Sequence, residues 1–134
     1  MCIRDSYYAT PEIEQMTKAT RKIGVGVMGF ADLLIQLRIP YNSDKARVIA
    51  SDLMAYITKA ADEASLDLAA RRGPFPSWEE SNFNQLTEVY RNACRMTVAP
   101  TGTISMLADC SSGIEPTFAS VSYTHLTLPT TPYV

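Results

Sequence analysis

Apolar positions recur at helical spacing along most of the chain, with two short stretches where they alternate instead. Between Ser43 and Gly73, the residues Ala46, Ile49, Ala50, Leu53, Ile57, Ala60, Ala64 and Leu68 follow the i, i+3, i+4 pattern of one buried helix face. Ser43 supplies an N-cap, Asp44 puts negative charge in the first turn, and Arg71 and Arg72 precede a terminating Gly73, which predicts a single helix to about Arg72. Core packing accounts for that stripe. Thr10 before Pro11, with Glu12 and Glu14 behind them, predicts a shorter helix to about Thr20. Met28 to Ile39 has helical spacing too, and Pro40 ends it. In Lys22 to Val27 glycine alternates with β-branched residues, as in a buried strand or an extended segment that another backbone approaches closely. Arg95 to Val98 reads as a second strand, and Thr101 to Ser105 as a turn opening a short helix through Ala108. Gly73 to Pro76 is a turn that buries Phe75, and the polar stretch Ser81 to Tyr90 is compatible with one more helix. Strands alternating with helices predict an α/β fold with parallel pairing.

Composition narrows the function classes. The chain has 134 residues, enough for one domain at most, and 12 Lys and Arg against 14 Asp and Glu give a net charge of -2. No basic excess favours nucleic acid or an anionic membrane, and no apolar run approaches the roughly 18 residues that span a bilayer. Three Cys without a CxxC pair give neither a disulfide framework nor a zinc site, so a reducing, cytoplasmic setting is expected.

The two ends are related in an unusual way. Met1 to Asp5 can be encoded ATG TGT ATA AGA GAC, whose reverse complement reads Val, Ser, Tyr, Thr, His, the sequence of Val121 to His125. An inverted repeat at the DNA level has no folding rationale and resembles the mosaic-end adapter of a transposase-based sequencing library. The expectation is therefore that residues 1–6 and 121–134 are adapter read-through, that 7–120 is a partial domain, and that the natural boundaries lie further out. That removes Cys2 and His125, the only His, so no His-based triad or Cys/His metal cluster can be assembled within the chain.

Three constellations remain. Gly24, Gly26 and Gly29 form a literal GxGxxG between a strand and a helix. A dinucleotide-binding oxidoreductase would need a second strand ending in an acidic residue about 20 residues on, but 43–72 is predicted helical, so close packing of the strand and the following helix explains the glycines better. Asn92, Cys94 and Met96 invite comparison with a radical-bearing Cys between two proton-handling side chains. Met96 handles no proton, so Cys94 reads as a small buried hydrophobe. Cys110, beside Ser111 and Ser112, has no local Lys or His to lower its pKa. Ala99, Pro100, Thr101, Gly102, Thr103, Ile104 and Ser105 follow a strand and open a helix. Their glycine, outward amides and three hydroxyls suit a phosphate cradle, and equally a turn in which Thr101 or Thr103 caps the first helical amides.

A resemblance bears on that choice. Arg21-Lys-Ile-Gly-Val-Gly-Val-Met-Gly-Phe-Ala-Asp-Leu-Leu-Ile35, Ile39-Pro-Tyr41, Arg72-Gly-Pro-Phe75, Val98-Ala-Pro-Thr-Gly-Thr-Ile-Ser105 and Ser111-Ser-Gly-Ile-Glu-Pro116 together resemble the large catalytic subunit of ribonucleotide reductase, in order and over essentially all of residues 7–120. The run Met28 to Asp32 and the wording of Ala99 to Ser105 are most similar to the adenosylcobalamin-dependent class II form, with the cobalamin-independent class I large subunit as the alternative. The resemblance implies a helix-rich fragment of a ten-stranded α/β barrel that reduces the ribose 2′-hydroxyl through a cysteine thiyl radical. It also implies adenosylcobalamin as cofactor, a ribonucleoside di- or triphosphate as substrate, a thioredoxin-type dithiol as reductant and a homodimeric parent. Ala99 to Ser105 would bind the substrate's phosphates, and Gly113 to Pro116 would belong to the substrate-side wall. The radical cysteine, its Asn and Glu partners and the redox cysteines would lie outside this chain, which alone would be inactive. A purely helical interaction module, by contrast, would leave Ala99 to Ser105 without anion affinity.

Amplification across this locus from source DNA is expected to return different codons at both ends and an open frame continuing in each direction. Recovery of the same Met1 to Asp5 and Val121 to His125 codons from genomic template would contradict the adapter reading.

Overall fold

The structure, a computed structural model, describes residues 8–117, so Cys2, His125 and both proposed adapter stretches lie outside the described residues. Four α-helices follow one another: α1 (Pro11–Thr20), α2 (Phe30–Gln36), α3 (Asp44–Arg72) and α4 (Gly102–Leu107), with a 3-10 turn at Asn82–Gln85 between α3 and α4. Thr10 caps α1 as its sequence position requires, its side chain accepting from the Ile13 N–H, and Ser43 caps α3 by accepting from Ala46. At 1.5 Å per residue α3 is about 43 Å long, and its two halves meet different partners.

Its N-terminal half makes an apolar core with α2, in which Phe30, Leu34, Ile39 and Ala46 are buried and Leu33, Ile49, Ala50 and Leu53 pack around them. Its C-terminal half buries Ser65 and Ala69, while Ala60 and Ala64 of the expected stripe face outward. The buried face therefore moves round by about one residue, some 100°, along the helix. The cause is a change of partner from the apolar α2 to the polar main chain at Arg91 and Asn92. The Ser65 hydroxyl donates to Asn92 Oδ1 at 3.0 Å and accepts from the N–H groups of Arg91 and Asn92, both at 3.2 Å. Asn92 Nδ2 then donates to Arg21 O at 2.8 Å, tying α3 to the end of α1.

An aromatic cluster of Phe75, Trp78, Phe83 and Tyr90 closes this end of the molecule. Arg95 lies over the Tyr90 ring, 4.1 Å from its centroid, and forms an ion pair with Asp62 of α3. The hydrogen bond from Tyr90 to Glu88, aided by burial, raises the Tyr90 pKa. The turn at Gly73 buries Phe75 as expected, whereas 81–90 forms only the 3-10 turn rather than a helix.

The two predicted strands meet as parallel extended segments, but among the described residues their pairing amounts to one isolated bridge, Val25 with Met96. Val25 N–H donates to Arg95 O at 2.8 Å, Thr97 N–H to Val25 O at 3.0 Å and Ile23 N–H to Cys94 O at 2.9 Å. Of the two readings of Lys22 to Val27, the closely approached extended segment is the one seen, since Ile23 is 40% exposed and Val25 41%. Cys94 is half-buried and directs its thiol to Met96 O, and the Asn92 amide is engaged by the Ser65 hydroxyl and by Arg21 O.

Gly24 and Gly26 exist for this pairing. A Cβ on Gly24 would sit 2.6 Å from Thr97 Cγ2, and one on Gly26 would sit 2.8 Å from Thr97 O. The close packing expected for these glycines is real, but the partner is the second extended segment rather than the following helix. With 44–72 helical, the second strand that a dinucleotide-binding fingerprint requires is absent among the described residues.

The two clashes differ in kind, one against a side-chain methyl and one against a carbonyl. Gly24→Ala is therefore expected to be partly rescued by Thr97→Ser, which removes Cγ2 but keeps the Cβ 3.0 Å away, whereas Gly26→Ala is not. Denaturant midpoints of the four variants measure this, and equal rescue of both glycines would contradict the geometry.

Candidate functional site

The extended segments deliver two helix starts side by side. The first runs through Val27 and Met28 to Gly29, whose φ of 75° begins α2, and the second through Ala99 and Pro100 to Thr101, whose φ of 55° begins α4. A β-branched residue in the left-handed region is strained, costing of order 1–2 kcal/mol, so its surroundings must hold it there. They do: Thr101 Oγ1 accepts from Gly113 N–H at 2.7 Å.

Gly113 belongs to a strap, Ser111 to Ile114, in which each successive residue is fastened to a different place. Ser111 donates its N–H to Asp32 Oδ2 at 2.6 Å and accepts at its carbonyl from Gly29 N–H at 2.8 Å. The Ser112 hydroxyl meets the Ser105 hydroxyl at 2.9 Å. Gly113 holds Thr101, and a Cβ there would lie 2.8 Å from Ala99 O, so the strap lies directly against the turn. Ile114 O accepts from the Tyr41 hydroxyl at 2.6 Å.

Against this frame the seven residues singled out from sequence take distinct places. Ala99 is half-buried under the strap and Pro100 is exposed. Thr101 spends its hydroxyl on Gly113 rather than on capping α4, and no side chain caps that helix. Ser105, 2% exposed, bonds to Gly102 O at 3.0 Å and to Ser112, so it props the turn from within. Thr103 and Ile104 are exposed, and open space lies where a Cβ on Gly102 would project. Of the three hydroxyls expected to line the turn, Thr103 alone is exposed.

The side-chain cap that competed with the phosphate cradle is thus absent. Ser105 N–H donates to Thr101 O, and the amides of Gly102, Thr103 and Ile104 meet no acceptor among the described residues. No Lys or Arg occurs between Met96 and Thr117, so what the turn itself offers an anion is amide dipoles and the Thr103 hydroxyl.

Asp32 and Tyr41 were not singled out from sequence. Asp32 lies in the first turn of α2, and nothing local in the sequence signals a partner 79 residues away. Beside the strap, Gly29, Asp32, Leu33, Asp109 and Cys110 line an open crevice, and among the described residues no cluster of His, Cys, Asp and Glu could hold a metal ion. No described helix is long and apolar enough to cross a membrane.

The chain is similar to a consistent set of known proteins. The family model of the ribonucleotide reductase barrel domain matches residues 1–90 and 86–128. A vitamin B12-dependent ribonucleoside-diphosphate reductase of Thermoplasma acidophilum is 47% identical over 119 residues, covering 89% of this chain and 16% of the relative. The protein of the same name from Mycobacterium tuberculosis is 50% identical over 114 residues, covering 85% and 16%. A class Id ribonucleotide reductase alpha subunit from Actinobacillus ureae shares the fold with a TM-score of 0.70 at 24% identity, over 85% of this chain and 21% of that one. The chain thus spans about a sixth of the length of its curated relatives. On the match of both its turn-bearing halves to one family model, the chain belongs to the ribonucleotide reductase barrel-domain family.

Proposed function

We propose that this chain is a segment of the barrel of a vitamin B12-dependent ribonucleoside-diphosphate reductase and supplies the turn on which the substrate's phosphates rest. The observation that carries the reading is the start of α4, where three amides have no side-chain cap and open space lies where a side chain on Gly102 would project. A phosphate fits that need: it brings several acceptor oxygens, and hydrogen bonds to an ionised acceptor are roughly twice as strong as neutral ones. Thr103 adds a hydroxyl donor, while Thr101 and Ser105 keep the turn in shape from behind.

The names of the Thermoplasma and Mycobacterium relatives support a diphosphate substrate and dependence on vitamin B12. When bound, adenosylcobalamin supplies the radical that starts ribose reduction. Among the described residues there is no His and no cluster of acids or thiols, and none of them is assigned to hold the cofactor. This chain's residues hold the far end of the substrate, and the reacting centre is assigned to the remainder of the parent.

The proposed parent is a ten-stranded α/β barrel. The exposed Ile23 and Val25, and an α4 on which Leu107 is 84% exposed, are surfaces that further strands and helices of such a barrel would cover. A thioredoxin-type dithiol as reductant, a homodimeric assembly and a cytoplasmic setting complete the reading.

The intact parent enzyme tests it. A hydrogen bond to a charged group is worth about 1.5–3 kcal/mol, so Thr103→Ala should raise KM roughly ten- to a hundredfold with kcat little changed. Ser105→Ala should instead lower thermal stability, since it leaves a buried pairing unmade. Gly102→Asp should weaken substrate more than any of these, because its carboxylate enters the phosphate's space. Substrate affinity of Gly102→Asp within about twofold of wild type, some 0.4 kcal/mol, would refute the phosphate site.

A further inference from the structure

The strap raises a question that its role as scaffold does not answer: why its first residue is held by a carboxylate. Asp32 occupies the third position of α2, where an acidic side chain ordinarily folds back toward the helix's own free amides. Here it reaches across to Ser111 N–H, while Gly29 N–H takes Ser111 O, so both backbone groups of one residue are gripped by the start of α2. The next two residues carry the grip to the turn, Ser112 through Ser105 and Gly113 through Thr101. Thr101 is the residue held at positive φ whose backbone aims the α4 amides. Two hydrogen bonds, Asp32 to Ser111 and Gly113 to Thr101, linked by the main chain of the strap, therefore join a side chain on one helix to the start of another.

We propose that Asp32 is a positioning residue for the phosphate-binding turn, setting through the Ser111 N–H the place of the strap that holds Thr101 and Ser105 and hence the direction of the α4 amides toward substrate phosphate. This rests on the phosphate-site reading above. Asp32 does not touch substrate; it acts through the strap, and Tyr41 steadies the strap's other end at Ile114 O. The chemistry required of the side chain at 32 is an acceptor oxygen at the length of Asp, and charge is secondary. Asn offers that oxygen in the same place, whereas Ala offers none and leaves the Ser111 N–H without a partner.

The test uses the full-length parent enzyme with its cofactor and a ribonucleoside diphosphate, comparing wild type, Asp32→Ala, Asp32→Asn, Tyr41→Phe and Gly102→Asp. Asp32→Ala should raise KM about tenfold, equivalent to 1.4 kcal/mol, with kcat within twofold. Asp32→Asn should restore KM to within about threefold of wild type, and Tyr41→Phe should raise KM by a smaller factor than Asp32→Ala with the same unchanged kcat. A purely structural role would lower the melting temperature of Asp32→Ala and leave the KM of its folded fraction unchanged, and that result would overturn the proposal. If Asp32→Ala does not fold, Tyr41→Phe with unchanged KM overturns it equally. A normal KM in Asp32→Ala beside a raised KM in Gly102→Asp sinks the positioning role alone, whereas normal values in both sink the phosphate site itself.

Discussion

The approach of Gly24 and Gly26 to Thr97 is the contact on which the rest of this structure depends. Side chains on both glycines would push the two extended segments apart, and with them the helix starts each segment feeds. With glycine there, the bridge between Val25 and Met96 forms, and Gly29 and Thr101 emerge close enough for one strap to fasten both. The long helix α3 serves the same end from outside. Its apolar half fixes α2, and its polar half, through Ser65 and Asp62, fixes the residues that lead into the second segment.

The division of labour in the turn follows from burial. Hydroxyls that face inward satisfy the protein's own groups, as Ser105 and Thr101 do, and this leaves the α4 amides uncapped where a sequence rich in Thr and Ser could easily have capped them. A strained Thr101 and an uncapped helix are both unfavourable for folding, and the proposed phosphate site gives both a use.

Much of this was legible in the sequence where the cause is local. The caps at Thr10 and Ser43, the stop at Gly73 and the turn after Pro100 are set by neighbouring residues, and α1 and α3 end within a residue of expectation. Local signals failed where a distant partner decides. The α3 stripe was extended through Ala60 and Ala64 because nothing nearby shows that the lower half packs on the Asn92 backbone and so buries Ser65. Lys22 to Val27 read as a buried strand or a closely approached extended segment and Arg95 to Val98 as a strand; the close approach is present, and pairing within 8–117 stops at one bridge. In the site, the turn and its glycine could be read directly, but the fate of each hydroxyl could not. Ser105 and Thr101 are turned inward by Ser112 and Gly113, and Asp32 is drawn across to Ser111, by contacts that no spacing rule reaches.

A crystal structure of the full-length parent with a ribonucleoside diphosphate bound tests the phosphate site most directly. Phosphate oxygens should lie about 2.7–3.1 Å from the amide nitrogens of at least two of Gly102, Thr103 and Ile104, with Thr101 still in its left-handed conformation. Phosphates seated elsewhere in the barrel, with those three amides left to solvent, would contradict it.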